Sequence, residues 1–152
     1  MKDIHQTNVD QEMADLLAKA KSVAKHAYNP LSHFHVGAAV LASTGEIFLG
    51  TFFESSSAPV GVCAEQVAIG AAITSGCRQF RAIAIVGGAK LDEVGTPVKP
   101  CGKCRQTIAD FAEVSGAEIV IVCGDMSLSR VEVTAISALL PDPFVLPITR
   151  RS

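Results

Sequence analysis

Apolar positions recur along this chain with two different periods, and the switches between them mark out its elements. From about Val9 to Tyr28, Met13, Leu16, Leu17, Ala20, Val23, Ala24 and Ala27 fall three or four residues apart. That spacing draws one apolar stripe along an amphipathic helix, which Asn29-Pro30 ends. The period then shortens. HVGAAVLAS and EIFLGTFFE are apolar runs parted by Thr44-Gly45, which predicts a β-hairpin. CAEQVAIGAAITS, from Cys63 to about Ser75, returns to helix, with Gly76 placed to terminate it. RAIAIVGG is short, β-branched and almost wholly apolar, the pattern of a buried strand. The loop LDEVGTPVKP leads to a further helix from about Gly102 to Val114, and EIVIVCG reads as a second buried strand. The stretch from about Leu128 to Leu140 holds a last strand and short helix, and about residues 141–152 form a proline-broken tail.

Helices alternating with apolar strands argue for an α/β fold packed around one mixed sheet. No internal repeat, low-complexity tract or linker interrupts it, so residues 1–152 read as a single domain. Hydrophobic residues make up 49% and charged residues 18%, which excludes a disordered chain. The net charge is -2 and the pI about 6.1, so there is no basic footprint for nucleic acid. A small-molecule partner is expected instead. The N-terminus, MKDIHQTNVDQEMADLL, lacks the basic start and apolar stretch of a signal peptide, and no run is long enough to span a bilayer. Five cysteines in such a chain point to a reducing, cytoplasmic setting, where clustered thiols bind metal or do chemistry.

Cys101 and Cys104 stand in P-C-G-K-C, where a loop enters a helix. Two thiols three positions apart at a helix start suit a tetrahedral zinc, and equally a thioredoxin-like redox pair. Cys63 tips the balance to metal, because it too opens a helix and Glu65 follows two residues later. Three protein ligands leave the fourth position of a zinc ion open, as in catalytic sites. Free N–H groups and positive dipole ends at two helix starts favour thiolates. A structural zinc closed by Cys77, Cys123 or a histidine is the alternative, but it leaves Glu65 without a purpose. Glu65 is either an ordinary acid at a helix start or the group that moves protons between a zinc-bound water and a substrate. Cysteine-x-Glu followed by Pro-Cys-x-x-Cys fits the second, for it is the zinc deaminase signature with Cys in place of the first His.

With those motifs in hand, the chain resembles the small, homotetrameric, zinc-dependent cytidine deaminases. The likeness runs from Tyr28 to Phe144 through YNPLSHFHVGAAV, GTFFE, CAEQVAIGAAITSG, FRAIAIVGG, PCGKCRQTIADF and ALLPDPF. It implies a three-layer α/β/α sandwich and hydrolytic deamination at C4 of a cytosine ring. Zinc hydroxide would attack that carbon while Glu65 protonates N3 and then the departing ammonia. The resemblance also implies that Phe34 lines the nucleoside pocket and Glu54 binds a ribose hydroxyl. The N–H of Ala64 and a carbonyl near Pro100 would grip the pyrimidine. Phe144 would enter a neighbouring subunit's pocket, where packing on its own subunit is the plainer alternative.

Three positions depart from the family pattern. The usual N-V-E-N is Phe52, Phe53, Glu54 and Ser55, which replaces a ribose-binding amide with a ring and bears on substrate discrimination. A usual tyrosine is Ala58, loosening the same wall. The arginine of C-A-E-R, which hydrogen-bonds the thiolates, is Gln66 here, and Lys103 is the candidate for the missing charge. The blasticidin S deaminases are similar in this respect.

Of the other residues, His26, His33 and His35 are not needed by a zinc that three cysteines hold, and His35, alternating with Phe34, should face away from the pocket. Cys77 and Cys123 read as buried small hydrophobes. Ser55-Ser56-Ser57 reads as a turn, and Arg105 and Gln106 as support for the site or a subunit contact. The leading expectation is therefore a zinc-dependent deaminase of cytidine, deoxycytidine or a related aminopyrimidine nucleoside. Its rivals are a deaminase of a modified cytosine nucleoside such as blasticidin S or another aminated heterocycle, and a non-catalytic zinc-stabilised binding module. Polynucleotide editing is disfavoured by the acidic balance.

Overall fold

The computed structural model describes residues 10–147; Val9, where the first helix was expected to begin, and tail positions 148–152 lie outside them. Five strands form one mixed sheet: β1 (His35–Ala42), β2 (Ile47–Thr51), β3 (Phe80–Gly88), β4 (Val120–Asp125) and β5 (Val131–Ala135). Their spatial order is β2-β1-β3-β4-β5. β1 pairs antiparallel with β2 and β3, β4 pairs parallel with β3, and β5 returns antiparallel on β4. The β1–β2 hairpin turns where expected, at Gly45, whose φ of 94° is left-handed and suits glycine.

Helices cover both faces, giving the α/β/α layers that the resemblance implied. α1 (Gln11–Ala24), capped by the Asp10 side chain, lies on one face. There Leu16, Leu17, Ala20 and Ala24 pack against Ala39, Leu41, Ala82, Ala84, Val86 and Val122. α2 (Ala64–Thr74) and α3 (Gly102–Ser115) lie on the other, against Ala38, Val40, Ile83, Ile85, Ile121 and Cys123. Alternate residues of each strand serve opposite faces, which is why the runs were apolar throughout instead of alternating. His35 shares its parity with Ala39 and Leu41, so it belongs to the α1 face, away from α2 and α3.

Some boundaries differ from the sequence expectation. α1 stops at Ala24, four residues before Tyr28: the His26 and Ala27 amides turn to carbonyls three residues back, and the Tyr28 amide leaves the helix for the Phe52 carbonyl. Phe52 to Glu54 fall beyond β2, and Ala58–Val60 form an unexpected 3-10 turn. α4 (Ile136–Leu139) is the short helix foreseen after the last strand. Among the described residues, no helix is long and apolar enough to cross a membrane.

Candidate active site

The N-termini of α2 and α3 meet at the sheet edge where β2, β3 and β4 end. Cys63 and Cys101 are the N-cap residues, with extended backbones (φ/ψ of −64/147° and −68/171°) and no capping hydrogen bond from either side chain. An N-cap is ordinarily Ser, Thr, Asp or Asn, whose oxygen takes a free helix N–H. Cysteine at both caps leaves the sulfurs available for another partner. Cys104 lies one turn into α3 and is buried. The three Sγ atoms lie within 4.8 Å of one another, and those of Cys63 and Cys101 are 3.7 Å apart. A tetrahedral zinc with bonds of about 2.3 Å holds its sulfurs about 3.8 Å apart, so the donor set fits the ion. Among the described residues, no histidine, Cys77 or Cys123 joins this group, which leaves a fourth position for water or substrate. The third thiol also removes the case for an isolated C-x-x-C redox pair.

Glu65, in the first turn of α2, is only 4% exposed. Burial lifts its carboxyl to about 7, and the charge on Cys63 adds to the rise, against the lowering effect of its own backbone and of Cys104. Cys63 is held down at about 6, chiefly by a hydrogen bond from Cys104, with smaller help from Cys101 and the charge of Lys103 against the cost of burial. The same bond and burial push Cys104 up. Of Cys63 and Cys104, Cys63 thus ionises first. Cys123 is pushed up to about 12 by burial, as a core thiol is.

Gln66 faces this cluster. Its Nε2 donates to Cys104 Sγ at 3.5 Å and to Thr107 Oγ1 at 3.0 Å, and the Thr107 hydroxyl donates to Lys103 O at 3.1 Å. Thr107 was not singled out in the sequence, although its place three residues after Cys104 puts both on one face of α3. Lys103 itself is exposed. Arg105 Nε donates to Pro100 O at 2.8 Å, and Gln106 Nε2 to Phe144 O at 2.8 Å.

The other expected substrate residues are held by contacts of their own, of which the Phe53 pairing comes nearest to Cys63 in the chain. Phe53 exchanges backbone hydrogen bonds with Val62 (3.2 and 2.9 Å), one residue from Cys63, and Glu54 N donates to Tyr28 O. Glu54 Oε1 accepts from Leu31 N, Ser32 N and Ser32 Oγ at 3.1–3.2 Å, so this carboxylate also braces the 31–32 loop. Phe34, 36% exposed, is tied to the same loop through Ser32 Oγ and Asn29. Phe52 packs its ring against the core on the α2 face. Ala64 is buried as the first residue of α2, where its N–H has no partner within the helix. Phe144 is 68% exposed, and its carbonyl accepts from Gln106 of the same chain. A cavity of about 480 Å³ lies at the far end of α3, between Ala112, Gly116, Glu118, Ser137 and Leu140, and takes no part in this cluster.

Comparison with known proteins agrees with this geometry. Residues 10–122 match the family model of the cytidine and deoxycytidylate deaminase zinc-binding region. The chain is 39% identical over 134 residues to a cytidine deaminase of Sporosarcina psychrophila, covering 88% of this chain and 91% of that one. It is 37% identical over 108 residues to a blasticidin-S deaminase of Bacillus cereus, covering 69% and 76%. The crystal structure of cytidine deaminase from Burkholderia pseudomallei superposes with a TM-score of 0.75 at 37% identity, over 86% of this chain and 98% of that one. A sequence matched along most of its length, folding so that three thiols sit one zinc ion apart, belongs to the cytidine and deoxycytidylate deaminase family of zinc-dependent hydrolytic deaminases.

Proposed function

We propose that this chain deaminates a free aminopyrimidine nucleoside of the cytidine or deoxycytidine type, with Cys63, Cys101 and Cys104 as the zinc ligands and Glu65 as the proton carrier. The observation that carries this reading is Glu65, a buried carboxyl raised to about 7 beside a three-thiol site. When bound, zinc supplies Lewis-acid activation of water. Glu65 would take a proton from the attacking water, deliver it to ring N3, and pass the second to the departing amino group. Water's oxygen stays on C4 as the new carbonyl, and ammonia leaves. A carboxyl poised near the working pH is efficient in both directions of transfer. A non-catalytic zinc module would gain nothing from burying that acid.

On this reading Phe34, Phe52 and Glu54 line the sugar side, and the Ala64 N–H and a carbonyl near Pro100 hold the ring. Gln66 donates to the Cys104 sulfur, while Lys103 supplies the positive charge that a neutral amide lacks. Equal zinc affinity and turnover in Lys103→Ala and wild type would remove Lys103 from this role. The chain then acts as one catalytic domain of a cytoplasmic homotetramer in pyrimidine salvage, with Phe144 entering a neighbour's pocket. The exposed Phe144 ring supports that assembly, and a stable monomer on gel filtration would contradict it.

Phe52 favours a second reading, a modified cytosine nucleoside of the blasticidin S type, because a half-buried ring offers no hydrogen bond to a sugar hydroxyl. Ammonia release by zinc-loaded protein over a panel of nucleosides and heterocycles decides between them. Cytidine or deoxycytidine is expected to turn over fastest. Turnover of blasticidin S with none of cytidine would establish the second reading, and no ammonia from any member would sink both.

A further inference from the structure

Arg105 directly follows the ligand Cys104, yet its side chain reaches back past the other ligand in the same motif. Nε donates to Pro100 O at 2.8 Å, and Nη1 donates to Leu139 O at 3.2 Å. Its amide N–H meanwhile donates to Cys101 O at 2.9 Å. A single residue therefore grips the two carbonyls flanking the Cys101 residue, while Cys104 is bonded directly to its own nitrogen. Leu139 closes α4, where helix carbonyls lack an intrahelical partner, so the guanidinium also docks α4 against the thiol-bearing turn. A planar guanidinium can reach both carbonyls because its donors diverge from a rigid fork; an ammonium is a single point.

We infer that Arg105 is a positioning residue of the metal centre, clamping Pro100–Cys101 against α4 so that the Cys101 and Cys104 thiols stand ready at the spacing of one ion. The inference rests on the zinc reading of the site. Arg105 acts through the turn and touches neither metal nor substrate. Groups that orient ligands in this way commonly change metal affinity by about 10–100-fold when removed.

The test compares wild type, Arg105→Ala, Arg105→Lys and Ser115→Ala. Zinc affinity is read by competition with a chromogenic chelator, and ligand geometry by the visible spectrum of the cobalt(II)-substituted protein. Arg105→Ala is expected to lose about 10–100-fold in zinc affinity and to shift the thiolate-to-cobalt absorption. Arg105→Lys, keeping the charge on one donor point, falls between it and wild type. Ser115→Ala removes the 3.0 Å bond from Phe80 N at the far end of the same helix, and lowers the melting temperature while zinc affinity holds. Wild-type affinity and spectrum in Arg105→Ala would overturn the inference, as would an equal loss of affinity in Ser115→Ala. Should Arg105→Ala fail to fold, wild-type affinity in Arg105→Lys overturns it alone. None of these readouts uses turnover. A protein that binds zinc normally but releases no ammonia breaks the proposed function and leaves the role of Arg105 standing.

Discussion

Gly37 on β1 and Gly50 on β2 each let a helix settle onto the sheet, α1 on one face and α2 on the other. A Cβ at Gly37 would overlap the backbone of Ala20 and Ala24, and one at Gly50 would overlap that of Ala64 and Ala68. The seats are alike, but what hangs from them differs. α1 contributes only Leu and Ala to its buried face. α2 begins at the Gly50 seat itself, so the close approach fixes the first turn, and with it Cys63 and Glu65. Two packing contacts of one kind thus have unequal consequences: one holds the fold together, and the other also sets the position of the buried carboxyl beside the thiols.

The largest effect should come from the chemistry on the α2 side. Glu65→Ala is expected to lower turnover by about 10²–10⁴-fold while zinc content and melting temperature hold, as measured by ammonia release, metal analysis and thermal melts. Turnover within a few-fold of wild type would mean that another group moves the proton. Next come the seats themselves. Gly37→Ala and Gly50→Ala should each cost about 1–3 kcal/mol in urea unfolding, because the added methyl meets backbone that cannot step aside. Only Gly50→Ala should also weaken zinc binding in chelator competition. Equal zinc affinity in the two variants would dissolve the distinction between the faces.

A smaller effect belongs to Asp125, fully buried at the end of β4. Burial opposes its charge, but hydrogen bonds from Ser127, the Arg130 and Gly95 amides and Ser129 outweigh that cost and hold its carboxyl below the ordinary value. A carboxyl lowered by folding adds stability above its unfolded pKa, near 3.8, and that contribution is lost as the pH falls below it. Asp125→Asn should therefore cost about 2 kcal/mol at neutral pH, by turning an amide toward donors, and should flatten the acid limb of stability. Melts from neutral pH down to about 3 follow this, and parallel acid limbs in variant and wild type would refute it. The least effect is expected at Arg81, which holds Glu12 of α1 at 2.7 and 3.1 Å from an exposed position. Arg81→Ala should change stability by no more than about 0.5 kcal/mol and leave turnover unchanged. A loss of turnover there would show that the α1 face carries function after all.

Much of the site was legible because its chemistry is local. Cys101 and Cys104 are three residues apart at a helix start, and Glu65 follows Cys63 by two, so neighbouring residues alone bring each set together. The supports were not legible for the opposite reason. Gln66 meets Thr107 across 41 positions, Glu54 meets Ser32 across 22, and Arg105 meets Leu139 across 34. No periodicity reports such contacts. The end of α1 went astray in the same way, since the Tyr28 amide is claimed by Phe52, far along the chain.

The sequence by itself determined the order of helices and strands and the residue types at each helix start, because side-chain period and capping depend on near neighbours. Only the tertiary structure decided that Cys63 comes within 3.7 Å of Cys101, 38 residues away. That meeting requires α2 seated on Gly50 and α3 returning from β3 on the same face, each set by packing across the sheet. The same packing buries Glu65 and raises its carboxyl toward neutrality, a property that no stretch of sequence carries alone.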